Sequence, residues 1–276
     1  MSNSGYLSGG YLVHGLRGRA TTGFWLLIPF LFSIVHPVFC KAAPHTASPL
    51  VHASSDRDAA VPDCKIVYAG FVGAMETSNH KHSGVVQIRD TLRGPGYADV
   101  CADSFIPISW ASGRDWILTH FPAHAGPLTA EEIAVAPRVI LVGHSTGGWA
   151  MFSVARELRD KAIPVELTVQ VDSVGLTDST VPRNVKTCAI FHAWDVLMFM
   201  TTKKIRMEDP QRTKLLANIL VKHASHLSIT RDPRIREFVL KAVTEARVEI
   251  ASQPAAPPVE PKSSALNRAG ALIQPN

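Results

Sequence analysis

Residues 138–148 join a buried-strand pattern to a glycine-flanked serine, and no other segment limits the possible folds of this chain so strongly. Val139 to Val142 form a continuous apolar run, which is typical of a strand buried on both faces. The next residues, Gly143-His144-Ser145-Thr146-Gly147, fit the pattern G-x-S-x-G, in which a serine occupies a tight turn between a strand and a helix. Apolar residues then recur at helical spacing, at Met151, Val154, Ala155 and Leu158. This strand–turn–helix order predicts that Ser145 is a nucleophile.

The motif in this context resembles the α/β-hydrolase family, and the resemblance extends from about Lys65 to Val248. It implies a serine hydrolase in which a serine, a histidine and an acid act together, and in which backbone N–H groups stabilise the oxyanion. It also implies that the acid lies between the serine and the histidine along the chain. Each of these parts has to be located separately in this sequence.

Segments with a strand pattern alternate with segments of helical pattern, which favours a mainly parallel sheet with helices on its faces. We therefore predict a single-domain α/β-hydrolase fold with about six strands and no large cap domain. The predicted strands lie at 66–69, within 98–108, and at 139–142, 165–171, 185–191 and 219–221. The predicted helices lie at 83–92, near 130–134, after Gly147, at 210–218 and from Asp232-Pro233 onward, and the rest of 109–137 is expected to be loop.

Residues 1–43 have the layout of a secretory signal peptide. Two arginines precede an apolar stretch from Gly23 to Val35, and the small residues Ala42 and Ala43 follow it. The stretch is short for a membrane span and is interrupted by proline. We expect a cleaved signal and an exported protein, either periplasmic or secreted. The alternatives are an N-terminal anchor formed by residues 23–40, which would associate the protein with a membrane, and a lipid-modified Cys40.

The remainder of the chain divides into three parts. Residues 44–62 are mostly polar and lack periodicity, which suits a linker. Residues 63–251 carry the predicted hydrolase domain. Residues 252–276 are rich in proline, alanine and serine, and we expect this tail to be disordered.

Three cysteines remain if the signal is removed: Cys64, Cys101 and Cys188. An odd number in an exported protein suggests at most one disulfide. Cys64 opens one predicted strand and Cys101 lies in or near the next, so these two could pair. Cys188 falls inside an apolar strand, where we expect a buried thiol. The sequence leaves the pairing of Cys64 with Cys101 open.

The net charge of +5 and the pI near 9.1 raise the question of a nucleic-acid or membrane-surface partner. The basic residues are scattered apart from a patch at 231–236, and no aromatic residues alternate with them. We therefore expect solvated surface charge and no nucleic-acid partner. No P-loop or dinucleotide-binding motif is present, and no cofactor is expected.

A serine hydroxyl needs a base to accept its proton, and His226 is the predicted base. It lies just before the last predicted helix, where the resemblance implies the catalytic histidine, between a small residue and an apolar one. These neighbours favour His226 over His223. The two histidines also resemble a metal-binding pair, but the H-E-x-x-H spacing and a nearby carboxylate are missing, so we expect no metal site.

Two aspartates could complete the set, because each follows a predicted strand between Ser145 and His226. Asp172 ends the strand next after the serine, and Asp195 follows the strand after that. The more common position in the family is the later one, which favours Asp195. The segment Val171-Asp172-Ser173-Val174-Gly175 instead resembles small bacterial members and some lipases, in which the earlier strand supplies the acid. We predict Asp172 and keep Asp195 as the alternative.

The resemblance implies that one oxyanion donor is the backbone N–H of Thr146, the residue after the nucleophile. The second is expected in the loop after the first core strand, around Gly70 to Gly73. We predict the N–H of Phe71, with Val72 as the other possibility.

These residues predict an exported serine hydrolase that cleaves carboxylic esters through an acyl-enzyme on Ser145, with His226 as general base. The expected partner is a small-molecule ester or a lipid. Apolar residues in two loops could hold the acyl or aryl group or could simply close the core: Trp110, Trp116, Phe121, Met198, Phe199 and Met200. A non-catalytic binding protein of the same fold and an acyltransferase remain the alternative functions.

Overall fold

The computed structural model describes residues 64–123, 126–175, 179–195 and 200–252. The predicted signal or anchor and the predicted linker lie outside the described residues, as does the tail beyond Ser252. Among the residues that the structure describes, no helix is both long enough and apolar enough to cross a membrane.

The described chain alternates strands and helices along most of its length. The strands are β1 (Ile66–Phe71), β2 (Val100–Phe105), β3 (Arg138–His144), β4 (Val165–Val171), β5 (Thr180–Val181), β6 (Val185–Ala193), β7 (Arg206–Met207) and β8 (Lys214–Val221). The α-helices are α1 (Gly84–Leu92), α2 (Trp110–Leu118), α3 (Ala130–Val135), α4 (Thr146–Asp160) and α5 (Pro233–Ser252). Short 3-10 helices lie at Pro95–Tyr97, Pro107–Ser109 and Ile229–Arg231.

Six of the strands form one sheet in the order β2-β1-β3-β4-β6-β8, and every neighbouring pair is parallel. The two-residue strands β5 and β7 pair separately, also in parallel. The predicted fold class, a mainly parallel sheet of about six strands with flanking helices, is therefore confirmed.

Helices cover both faces of this sheet because the strands bury side chains on both sides. In β1, Ile66 and Tyr68 belong to the apolar cluster that contains buried residues of α1 and α5. Val67 and Ala69, which point the other way, belong to the cluster that contains buried residues of α2 and α4. All four side chains are fully buried. Continuous apolar runs such as Val139 to Val142 are the sequence signature of such two-sided burial.

The strand order reverses between β1 and β3, which fixes where a site can form. From β1 the chain passes to β2 at one edge, and it then returns across β1 to place β3 on the other side. Loops that leave the carboxyl ends of β1 and β3 therefore diverge and open a crevice, the usual ligand-binding position in such sheets. Ser145 directly follows the carboxyl end of β3.

Two predicted elements were wrong. The segment predicted as a helix at 210–218 instead contains most of strand β8, which pairs with β6. The register of that pair shifts, so that Cys188 faces Leu215 while Ala189 faces Ala217. The extra residue breaks the alternation expected of a strand and imitates helical spacing. In addition, α2 occupies a segment that was expected to be loop.

Cys64 and Cys101 form a disulfide near the amino ends of β1 and β2, whereas Cys188 is a buried free thiol. The crosslink joins residues 37 positions apart. A loop of this length restricts the unfolded chain enough to stabilise the fold by about 3–4 kcal/mol.

We predict that the double substitution Cys64→Ser/Cys101→Ser lowers the free energy of unfolding, measured by urea denaturation, by about that amount. Thiol titration of the denatured wild-type protein should detect two additional thiols after reduction. An unchanged thiol count on reduction would show that the two cysteines are not paired in the protein as isolated.

Candidate active site

Ser145 occupies a strained turn between β3 and α4. Its backbone has φ 53° and ψ −127°, a conformation that residues with a side chain rarely adopt. The turn is held from both sides, because the N–H of Ser145 donates to the carbonyl of Val171 at 3.0 Å and its carbonyl accepts from the N–H of Val174 at 3.0 Å. The serine hydroxyl is thereby fixed at the carboxyl edge of the sheet.

The glycines on either side of the serine permit a close approach of backbone segments. A Cβ added to Gly147 would lie 2.2 Å from the carbonyl oxygen of Phe71, and one added to Gly143 would lie 2.5 Å from the carbonyl oxygen of Gly147. Both distances are shorter than real Cβ contacts allow. The G-x-S-x-G spacing is therefore required here by packing between β1, β3 and the first turn of α4.

His226 lies in the loop after β8, and its imidazole contacts the serine. Nε2 of His226 is 2.9 Å from Oγ of Ser145, a hydrogen-bonding distance. Both residues are buried, with 8% of each exposed. His223, the competing histidine, is exposed on the same loop.

Asp172 contacts the other nitrogen of that imidazole. Its Oδ2 is 2.7 Å from Nδ1 of His226, and its Oδ1 accepts the backbone N–H of Ala193 at 3.0 Å. Asp172 follows the last residue of β4, has a φ of 45° and is completely buried. The structure thus brings together Ser145, His226 and Asp172, the three residues predicted to act in catalysis.

Asp172 is held in its ionised form by its partners. Burial alone would raise the pKa of this carboxyl group, but hydrogen bonds from His226, from the Ala193 N–H and from Thr201 outweigh burial and lower the pKa below its ordinary value. An ionised carboxylate fixes the proton of His226 on Nδ1, which leaves Nε2 free to accept a proton from Ser145.

Asp195, the alternative acid, contacts the main chain of the histidine instead of its ring. Its Oδ2 accepts the backbone N–H of His226. This bond anchors the histidine loop to the carboxyl end of β6.

The second oxyanion donor, predicted at Phe71 or Val72, stays a prediction. Phe71 is the last residue of β1 and pairs with Phe105 on one side and Gly143 on the other. The N–H of Val72 donates to the carbonyl of Phe105 at 3.1 Å. Thr146 begins α4, in the first turn of which backbone N–H groups have no partner within the helix.

Two further residues beside the site carried no prediction. His144, the last residue of β3, is buried, and its Nε2 is 2.9 Å from the backbone carbonyl oxygen of His226. Its Nδ1 is 3.3 Å from Oε2 of Glu76. His144 stands at a variable position of the motif, next to the serine, which was a usable signal. Glu76 carries no local signal.

The loops around the site expose several apolar side chains. Each is the sequence neighbour of a residue named above. The exposed fractions are 93% for Met75, 72% for Leu227, 58% for Trp194 and 52% for Met200. Phe121 belongs to the buried core on the α2–α4 face of the sheet, and Trp110 and Trp116 are partly buried against that core. Met198 and Phe199 lie outside the described residues.

Only one group of potential metal ligands is found within the described ranges: Cys64, Cys101 and His120, whose ligand atoms lie within 4.8 Å of one another. Both of its sulfur atoms are already joined in the disulfide. The disulfide lies near the amino ends of β1 and β2, whereas Ser145 follows the carboxyl end of β3, so this group takes no part in the serine site.

No family model and no curated protein matches the chain. Solved structures with a similar course of the main chain include the thioesterase domain SrfTE, described for the cyclization of the lipopeptide antibiotic surfactin, at 12% identity and a TM-score of 0.37 over 66% of this chain and 92% of that one. XC6422 from Xanthomonas campestris, described as an a/b serine hydrolase without a lid, is 15% identical with a TM-score of 0.36 over 71% and 87% of the two chains. A lipase-esterase related protein from Clostridium acetobutylicum is 9% identical with a TM-score of 0.36 over 65% and 95%. TM-scores this low carry no argument about activity.

The identity of the fold rests on the chain's own topology. A doubly wound parallel sheet places the serine after β3, next to the point where the strand order reverses. The aspartate follows the adjacent strand β4, and the histidine follows the edge strand β8. The described part of the chain therefore has the α/β-hydrolase fold.

Proposed function

We propose that this protein is an exported serine hydrolase that cleaves carboxylic esters through an acyl-enzyme on Ser145. The observation that supports the proposal is the continuous series of hydrogen-bonding contacts from Ser145 to His226, at 2.9 Å, and from His226 to Asp172, at 2.7 Å. Nucleophile, base and orienting acid lie in the order in which serine hydrolases use them.

In the first half of the reaction, Oγ of Ser145 attacks the ester carbonyl while its proton passes to Nε2 of His226. The carbonyl oxygen becomes an oxyanion, which the backbone N–H of Thr146 stabilises. The tetrahedral intermediate then collapses, the bond to the alcohol breaks, and the alcohol leaves with the proton from Nε2. The acyl group stays on Ser145.

In the second half, water replaces the alcohol. Nε2 of His226 takes a proton from water as the oxygen attacks the acyl carbonyl, and the second tetrahedral intermediate releases the carboxylic acid with the proton returning to Oγ of Ser145. Asp172 holds the imidazole in the required tautomer during both halves and stabilises the imidazolium, without itself accepting a proton.

The disulfide between Cys64 and Cys101 supports export, because such bonds persist mainly in oxidising compartments. The thiol count described above tests this as well when it is made on protein recovered from the periplasm or the medium. A reduced pair in protein that keeps Met1 and stays in the cytoplasm would contradict export.

The exposed apolar side chains around the site support a substrate with an apolar acyl group. An exposed leucine or tryptophan gains from contact with a hydrocarbon chain, because each apolar surface removes the other from water. Net burial of one further methylene group adds about 0.8 kcal/mol.

We predict that a fluorophosphonate probe labels the wild-type protein covalently and that Ser145→Ala abolishes labelling. His226→Ala should slow labelling by at least about a thousandfold, because the serine then lacks its base. Labelling is read by gel fluorescence over time, with circular dichroism to show that each variant is folded. A folded wild-type protein that takes up no probe would contradict the proposal and favour a non-catalytic binding protein.

The two aspartates should differ in effect. Asp172→Asn should reduce kcat by about 10³–10⁴-fold because the imidazole loses the partner that fixes its tautomer. Asp195→Asn is the matched change. It should reduce kcat by about tenfold, because Asp195 contacts the backbone of His226 and not its ring. Hydrolysis of p-nitrophenyl butyrate measures both. A larger loss in the Asp195 variant would reassign the acid.

Acyl length should matter at the exposed apolar side chains. Leu227→Ser should lower kcat/KM for p-nitrophenyl octanoate by about fivefold and leave that for the acetate almost unchanged, because only the longer chain reaches the side chain. Val248→Ser, at an equally exposed apolar position on α5, serves as the control. Equal losses with both esters would count against an apolar acyl site at Leu227.

A further inference from the structure

His144 is a buried histidine with an acceptor at each of its two ring nitrogens. Nε2 faces the backbone carbonyl oxygen of His226 at 2.9 Å, and Nδ1 faces Oε2 of Glu76 at 3.3 Å. The His144 residue is 3% exposed, and its ring centroid is 5.1 Å from that of His226. A buried side chain so close to the predicted base has no part in the mechanism described above.

Each of the two acceptors has its own contact with this ring. A carbonyl oxygen can only accept, so the Nε2 of His144 that faces it carries a hydrogen. Oε2 of Glu76 accepts the backbone N–H of Gly73 at 2.8 Å and also faces Nδ1 of His144 at 3.3 Å. His144 therefore lies between the main chain of His226 and the side chain of Glu76.

The hydrogen-bond partners of Glu76 keep its carboxyl group ionised. Burial alone would raise the pKa of the Glu76 carboxyl group, but hydrogen bonds from His144 and from the Gly73 N–H outweigh burial and lower the pKa to about 2. The group is therefore ionised at neutral pH. The other titratable groups beside the pair are His80, whose Nδ1 lies 3.8 Å from Oε1 of Glu76, and His226 itself.

We infer that Glu76 and His144 form a positioning pair that holds the main chain of His226 in place and ties it to the loop after β1. The backbone of His226 is then fixed at both of its polar groups, since its N–H is bound by Asp195 and its carbonyl by His144. Neither residue touches the reacting atoms. This role depends on the function proposed above.

Glu76 suits this task because its contact with Nδ1 of His144 orients the ring, whose Nε2 then points at the His226 carbonyl. Glu76 is itself held within the loop after β1 by the hydrogen bond that it accepts from the Gly73 N–H. Proton transfer to His226 depends on the 2.9 Å separation from Ser145. A displacement of about 1 Å in such a contact can cost about a hundredfold in rate.

The test is a double-mutant cycle with Glu76→Gln and His144→Gln in the full-length protein. An amide at position 76 can accept from Gly73 or donate to His144 but cannot do both through one atom. Glu76→Gln should lower kcat for p-nitrophenyl butyrate and the maximal labelling rate about tenfold, with KM within about twofold of wild type. His144→Gln keeps a donor for the His226 carbonyl and should lose less than His144→Leu.

The double variant should be no slower than the slower single variant, because both changes break one unit. His80→Gln, at the exposed histidine on the other side of Glu76, is the matched control and should behave as wild type.

Two results would overturn the inference: independent losses that multiply in the double variant, or variants that keep wild-type kcat. Thermal unfolding of each variant separates these outcomes from loss of the fold, and the isosteric Glu76→Gln keeps the test available if His144→Leu does not fold. A wild-type protein that takes up no probe would instead contradict the proposed function.

Discussion

The contact between the first turn of α4 and the end of β1 is the constraint on which the site depends. Gly147 packs against the carbonyl of Phe71 so closely that a single added carbon would lie 2.2 Å from that oxygen. The missing side chain lets α4 approach the sheet this closely, and the close approach requires a sharp turn at Ser145. The positive φ of Ser145 is maintained by such packing and by its two backbone hydrogen bonds, since the conformation is unfavourable in itself. The serine is positioned by the backbone around it.

Two aspartates at the ends of neighbouring strands divide the support of one histidine. Asp172, after β4, binds the imidazole ring, and Asp195, after β6, binds the N–H of the same residue. Because parallel strands end at one edge of the sheet, both carboxylates reach the loop after β8. The sequence offered both residues as candidates for the catalytic acid. The structure gives them two different contacts with His226. Each looked suitable as the catalytic acid because each follows a strand that lies between Ser145 and His226 in the chain.

The features that could be predicted from the sequence depend on residues close together in the chain. The strand Val165–Val171 was predicted at its observed bounds because apolar and polar residues alternate strictly along it. The turn at Ser145 was predicted because five consecutive residues carry the steric requirement. His226 and Asp172 were located by their positions next to elements with clear patterns, and the structure brings both to the serine, although their roles in catalysis stay a proposal. The strand predicted at 66–69 extends to Phe71, because the end of β1 depends on pairing with two other strands.

The features that could not be predicted depend on contacts between distant segments. Strand β8 has no alternating pattern because one residue bulges from its pairing with β6, and only the presence of β6 makes the strand favourable. Glu76 is 68 positions from His144, and His144 is 82 positions from the carbonyl that it binds. No local pattern marks such partners, since a lone glutamate in a loop is usually solvated. The serine motif nevertheless contains one of these partners. His144 is the residue before the nucleophile, and its ring contacts both Glu76 in the loop after β1 and the His226 carbonyl in the loop after β8.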